Sequence, residues 1–152
     1  MSRSEIVLLR DPSESPLILE DARSILSQMG IVYREEVLPG LPSLSGLRSL
    51  MESIGQSVCV LALGRGAYIL PIVAASLVPQ QPLIVMPCPS EQASMSYLDT
   101  IFETVRGYPV AFTRPHDAQT AVLLGVHFLV SRHPSYADIL NAFIQKRHLQ
   151  PS

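Results

Sequence analysis

The sequence predicts a three-layer α/β fold, a parallel five-stranded sheet doubly wound with helices on both faces. Three observations lead there. Short apolar runs alternate with longer amphipathic ones from end to end. The strand-like runs read as apolar throughout rather than at every second position, the mark of strands covered on both faces. Clusters of Pro, Gly and Ser separate the two kinds of segment, as turns between strands and helices require.

Residues 5–9, EIVLL, read as the first strand, and the turn-rich Arg10-Asp11-Pro12-Ser13-Glu14-Ser15-Pro16 follows. Ile18, Ala22, Ile25, Leu26 and Met29 then recur at helical spacing, with Gly30 where a helix would stop. A second strand over 31–37 leads to Leu38-Pro39-Gly40-Leu41-Pro42-Ser43, whose prolines and glycine mark a loop. Ser43 suits the cap of a helix carrying Leu44, Leu47, Leu50 and Met51. The third strand, 58–63, runs into Gly64-Arg65-Gly66 and a helix to about Leu77. The fourth, 83–86, ends in Pro87-Cys88-Pro89-Ser90, before a helix with Met95, Leu98, Ile101 and Phe102. After Arg106-Gly107-Tyr108 a fifth strand spans 109–113, and helices over 117–131 and 135–146 close the chain. No repeat, low-complexity stretch or linker interrupts residues 1–152, which read as a single domain.

The 152 residues match one domain of roughly 100–150 residues. Hydrophobic residues make up 47% and charged residues 16%, which leaves little charge for the surface and points to a self-association interface. A net charge of −2 and a pI near 6.0 argue against a nucleic-acid partner, which needs clustered Lys and Arg. Two isolated cysteines, Cys59 and Cys88, make no disulfide framework and read as buried free thiols in a reducing cytoplasm. The N-terminal residues lack an apolar signal core, and no apolar run approaches the roughly 20 residues of a membrane span. The expectation is a soluble cytoplasmic protein with no membrane partner.

In doubly wound sheets ligands bind beyond the carboxyl ends of the strands, so the loops that matter are 10–16, 38–43, 63–69, 86–94 and 113–117. In 63–69, Gly64 and Gly66 let backbone approach a phosphate, Arg65 offers a bidentate contact and Tyr68 a hydroxyl or stacking face. A tight strand-to-helix turn explains the glycines equally well, and the Lys-Ser/Thr of a Walker loop is missing. Loop 10–16 offers a polar cradle of Arg10, Asp11, Ser13 and Glu14, though Ser13 or Ser15 also suits an N-cap. Loop 38–43 has no titratable side chain and supplies no general acid or base. Of four histidines, only His116 falls at the ligand edge; His127 reads as packed within its helix, and His133 and His148 as helix-end residues. No metal-ligand spacing and no Gly-x-Ser-x-Gly elbow occurs, so no metal or cofactor is expected.

Three segments carry a family resemblance. "LGRGAYILPIVAAS" resembles an "AGxAAHLPGxxAA" pattern, and "TIFETVRGYPVAF" resembles "SxxxMPxGxPVxT". "AQTAVLLGVHFLVSRHPSYADILNAF" resembles a long helix, its break and a C-terminal helix. These patterns are those of the phosphoribosylaminoimidazole carboxylase family of purine biosynthesis, which includes the bacterial N5-carboxyaminoimidazole ribonucleotide mutases. The resemblance implies a flavodoxin-like (Rossmann-type) fold with an extra C-terminal helix, a small-molecule ligand, no cofactor, and a homo-octamer with sites at subunit contacts. The family's first loop, Gly-Ser-x-Ser-Asp, corresponds to Arg10-Asp11-Pro12-Ser13-Glu14, so Ser13 is kept and Glu14 replaces the aspartate. Its second loop, Ser-Ala-His-Arg, corresponds to Pro39-Gly40-Leu41-Pro42, which puts Leu41 at the acid/base histidine. The second histidine of the bacterial pattern falls on Ile69, and Gly64-Arg65 resembles the animal branch.

A leucine moves no proton, and loss of a general acid/base costs about 10²–10⁴-fold. The expectation is therefore a divergent enzyme of small-molecule biosynthesis, repurposed to a more apolar substrate by lyase, isomerase or cyclase chemistry. Glu14 and His116 are its expected catalytic residues. Arg10, Asp11, Ser13, Gly40 and Leu41 would contact the ligand from the first two loops, and Gly64, Arg65, Gly66 and Tyr68 from the third. Ser90 and Arg106 complete the expected binding set. The alternatives are a non-catalytic relative serving as oligomeric scaffold or ligand sensor, and residual purine-pathway activity.

Overall fold

The structure, a computed structural model, describes residues 5–39, 44–64, 73, 81–90 and 94–148. Its centre is set by two strands whose side chains leave water almost completely. β1 (Ile6–Arg10) is buried up to Leu9, and β3 (Val58–Leu63) is buried at every position. With β2 (Tyr33–Val37), β4 (Leu83–Pro87) and β5 (Val110–Phe112) they make a parallel sheet in the order β2-β1-β3-β4-β5. Ile6 sits opposite both Tyr33 and Val58, Cys59 opposite Leu83, and Leu83 opposite Val110. The strand order reverses between β1 and β3, so the crevice that this fold class uses for ligands opens at their carboxyl ends.

The two-residue period of the strands sorts the apolar side chains into two cores. Ile6, Leu8, Val58, Val60, Ile84 and Met86 face α1 (Glu20–Met29), α4 (Ala118–Val130) and α5 (Ser135–His148). Val7, Leu9, Cys59, Leu61, Leu63 and Val85 face the other way, onto Leu47 and Met51 of α2 (Leu44–Ile54) and Ile101 of α3 (Ser94–Thr104). Both cores being filled is what makes the third layer, and the flavodoxin-like architecture expected from the sequence is observed. Of the helix expected to reach Leu77, only Val73 is among the described residues; it is helical and fully buried in the second core.

Several boundaries and environments differ from expectation for physical reasons. The helix expected from Ile18 begins as a 3-10 turn, Pro16–Leu19, whose first turn is capped by the Ser15 hydroxyl accepting from the Leu17 N–H at 3.2 Å. α1 then ends at Gly30, in the left-handed conformation at φ 68°, as a helix-terminating glycine should. The second strand is not apolar. Tyr33-Arg34-Glu35-Glu36-Val37 is half-buried to exposed along its length, and it is the sheet edge, where Arg23–Glu35 and Arg34–Glu36 pairs form at 2.9 and 2.8 Å. Charge on an edge strand discourages pairing with another chain, a demand that an apolar reading misses. β5 at the other edge is three residues long and half-buried, shorter than the expected 109–113. His127 is exposed beside Leu124 and Phe128 rather than packed, because it falls on the outward stripe of α4. Cys59 and Cys88 are both buried and free.

Candidate functional site

The carboxyl ends of β1, β3 and β4 gather most of the chemistry that the described residues offer. Asp11, directly after β1, is 3% exposed. Its N–H donates to the Ala62 carbonyl at 3.0 Å and so prolongs the β1–β3 ladder by one bond. Its Oδ1 accepts from the Ser13 N–H at 3.0 Å and from the Ser13 hydroxyl at 2.9 Å, and its carbonyl accepts from the Glu14 N–H at 2.9 Å. Aspartate folds a loop back on itself in this way because its short acceptor reaches the N–H two residues on. Arg10 adds a clamp from the strand end, its guanidinium donating to the Glu14 carbonyl.

Held on both sides, Glu14 lies across the switch in strand order against Gly64. A Cβ at position 64 would stand 1.6 Å from Glu14 Oε1, 2.4 Å from Cδ and 2.7 Å from Cγ. The carboxylate thus fills the volume that any side chain at 64 would take. Gly64 is not among the glycines of positive φ, so a close approach and not a left-handed backbone demands glycine here.

The far wall is fixed by α3. The Tyr97 hydroxyl lies 2.5 Å from the Leu63 carbonyl and 2.9 Å from the Gly64 carbonyl and donates its one proton between them. The Cys88 N–H also donates to the Leu63 carbonyl, at 2.8 Å, which ties the β4 loop to the end of β3. Burial is the main cause that pushes the Cys88 thiol up to about 12, and the Glu14 and Asp11 carboxylates push it the same way. Burial also raises the Tyr97 phenol, with Cys88, Asp11 and Glu14 adding to the effect. Both groups therefore stay protonated at neutral pH, and neither is a nucleophile there.

His116 belongs to the β4–β5 side of the same edge. It adopts φ 59°, a left-handed conformation in which histidine is enriched among non-glycine residues. Its N–H donates to the Pro87 carbonyl at 2.9 Å, and Nε2 lies 3.2 Å from the Pro89 carbonyl. A carbonyl only accepts, so Nε2 carries the proton in that contact. Next to it Asp117 caps α4, accepting from the Thr120 N–H at 3.0 Å and the Thr120 hydroxyl at 2.7 Å. Burial works against the Asp117 carboxylate, but the Thr120 bonds and Arg114 outweigh it and lower its pKa.

The structure thus brings Asp11, Ser13, Glu14 and Gly64 together, with Arg10 at their base. Ser90 is exposed beyond the end of β4. Arg106 is not brought to this edge: it follows α3, ahead of the amino end of β5, and its side chain is 84% exposed with Glu103 at 4.0 Å. The expected contacts from Gly40, Leu41, Arg65, Gly66 and Tyr68 lie outside the described residues. Sequence reasoning missed Tyr97 and passed over Cys88. The signal for Tyr97 was an aromatic with a polar tip beside the inward Leu98 and Ile101; that for Cys88 was its place directly after a buried strand. Among the described residues no three His, Cys, Asp or Glu side chains are grouped to hold a metal, and no helix is long and apolar enough to cross a membrane.

No protein-family model and no curated protein matches the sequence. Solved structures do match the fold. A PurE2 variant from Treponema denticola superposes with a TM-score of 0.79 at 16% identity, over 95% of this chain and 91% of that one. Treponema denticola PurE superposes with a TM-score of 0.78 at 16% identity, over the same shares of the two chains. The chain carries the PurE fold, at a sequence distance that leaves its chemistry to be read from its own residues.

Proposed function

We propose that the chain is a small-molecule enzyme that uses a PurE-like cleft on a substrate more apolar than a ribonucleotide, by lyase, isomerase or cyclase chemistry in a biosynthetic pathway. The observation that carries this reading is the Glu14 carboxylate seated on Gly64 across the switch between β1 and β3. A carboxylate fixed at that point is suited to take a proton from a carbon or nitrogen acid and return it elsewhere. Cys88 and Tyr97, protonated neighbours, leave the proton traffic to it. Leu41, where the resembling family has its acid/base histidine, supports a change of chemistry. His116, the other expected catalytic residue, is engaged by the Pro87 and Pro89 carbonyls on the β4 side of the edge and takes the smaller part in this reading.

The test is a small-molecule binding screen followed by a turnover assay on the ligands it yields. Glu14→Gln is expected to lower turnover by about 10²–10⁴-fold; a variant as active as the parent would sink the mechanism. Carboxyaminoimidazole ribonucleotide belongs in the panel, since its conversion would establish residual purine-pathway activity instead. A second reading, a non-catalytic oligomeric scaffold or ligand sensor, draws support from the first loop, where Arg10, Asp11 and Ser13 bond within the loop itself. It predicts ligand binding with no turnover of any compound. Both readings include a cytoplasmic homo-oligomer, an octamer by the resemblance. Leu17 and Met95, 71% and 70% exposed, support such an interface, and native mass spectrometry showing a monomer at micromolar concentration would contradict it.

A further inference from the structure

Gly64 stands where an anion would find the backbone of this fold most open. It ends the central strand at the switch point, and a residue without a Cβ in such a place gives a phosphate its closest approach. In this chain that approach is already taken. Glu14 Oε1 fills the position of the missing Cβ, so a ligand entering over Gly64 meets a carboxylate before it meets the backbone. Glu14 owes this placement to its main chain. Its backbone is pinned by the Asp11 carbonyl on one side and the Arg10 guanidinium on the other. The Glu14 and Asp11 charges both reach Cys88 and Tyr97, so the end of β3 lies under the field of two carboxylates.

From this geometry we infer that Glu14 is a specificity residue that bars phosphate groups from the switch-point crevice and admits neutral ligands that present an N–H or O–H donor. Two effects act together: the carboxylate occupies the volume, and its charge repels a second anion in a partly desolvated site. The inference rests on the reading of this edge as a ligand cleft, and it narrows the substrate to unphosphorylated molecules with a donor facing Glu14.

The experiment measures inorganic phosphate binding by phosphorus NMR and calorimetry on the full chain and three variants. The parent protein is expected to show no binding at millimolar phosphate. Glu14→Ala, which removes both volume and charge, is expected to bind at least about tenfold more tightly than the parent, a difference of about 1.4 kcal/mol. Glu14→Gln, which keeps the volume, is expected to gain less. In the double variant Glu14→Ala with Gly64→Ala the new methyl takes back part of the vacated position without restoring the charge, and the gain is expected to fall below that of Glu14→Ala alone. Thermal melts of each variant establish that the chain is folded. Phosphate bound by the parent as tightly as by Glu14→Ala would overturn the inference. So would no gain in either single variant, or a gain in the double variant as large as in Glu14→Ala. Failure here would leave the proton-transfer role standing, because that role is read by turnover of Glu14→Gln and not by phosphate.

Discussion

Two candidate proton carriers stand at one edge of one sheet, and the chain treats them differently. Glu14 lies inside the switch-point crevice with its carboxylate on Gly64, and its backbone is fixed by Asp11 and Arg10. His116 sits on the β4–β5 side, exposed, in a left-handed conformation, with its N–H and one ring nitrogen both engaged by carbonyls of the Pro87–Pro89 segment. The first arrangement lays a carboxyl group on the end of β3 and holds the residue by its backbone on both sides. The second uses a titratable ring to hold a loop. Residue type alone makes both look catalytic; what each is bonded to separates them.

The sharpest way to break this contrast is turnover of an identified substrate. Against the loss expected for Glu14→Gln, His116→Ala should lose less than about tenfold, well under a full general acid/base contribution. Equal losses would show the two residues to be partners in proton transfer. A smaller effect is expected for Tyr97→Phe, which removes the hydroxyl from the Leu63 and Gly64 carbonyls and should cost about 1–1.5 kcal/mol in chemical denaturation. An unchanged midpoint would mean that the wall opposite Glu14 stands without it.

On the His116 side, Asp117→Ala removes the cap of α4 and should cost about 1 kcal/mol at neutral pH. The sign with pH follows from its lowered pKa. The carboxylate stabilises the fold above its ordinary value of 3.8, and that contribution is lost as pH falls through the lower folded value. The parent and the variant should therefore converge below pH 3.8; a gap that persists in acid would deny the cap its charge. His116→Gly should bring the smallest change and the opposite sign, stabilising by up to about 1 kcal/mol as the strain of φ 59° is relieved. Destabilisation would show that the ring's contact with Pro89 outweighs that strain.

Elements whose environment is uniform could be read from the sequence. Residues 58–63 form the third strand at the expected limits because every side chain there is buried, and the helix bearing Ala22, Ile25, Leu26 and Met29 ends at Gly30 as its spacing implies. β2 defeated the same logic: its sequence has to serve two environments, a neighbour on one side and water on the other, and only the topology says which strand is the edge. The site was legible as a set of loops but not as a set of contacts. Arg10, Asp11 and Ser13 are polar residues at a ligand edge, and nothing in their order says that they bond to one another. Tyr97 lies 33 residues from Gly64 in the chain, beyond the reach of any local pattern.

The seat of Glu14 on Gly64 also bears on how such chains can drift. Positions 14 and 64 are coupled in this chain: the acid at the first keeps its seat only while the second has no side chain. Alanine at 64 would evict the carboxylate into the crevice instead of breaking the sheet, because the atoms it meets are the flexible end of Glu14. Lineages that lost the acid would be free to gain a methyl at 64, in that order more easily than the reverse. The joint identity of these two residues, more than overall similarity, would then sort relatives of this chain into those that keep the seated acid and those that share only its fold.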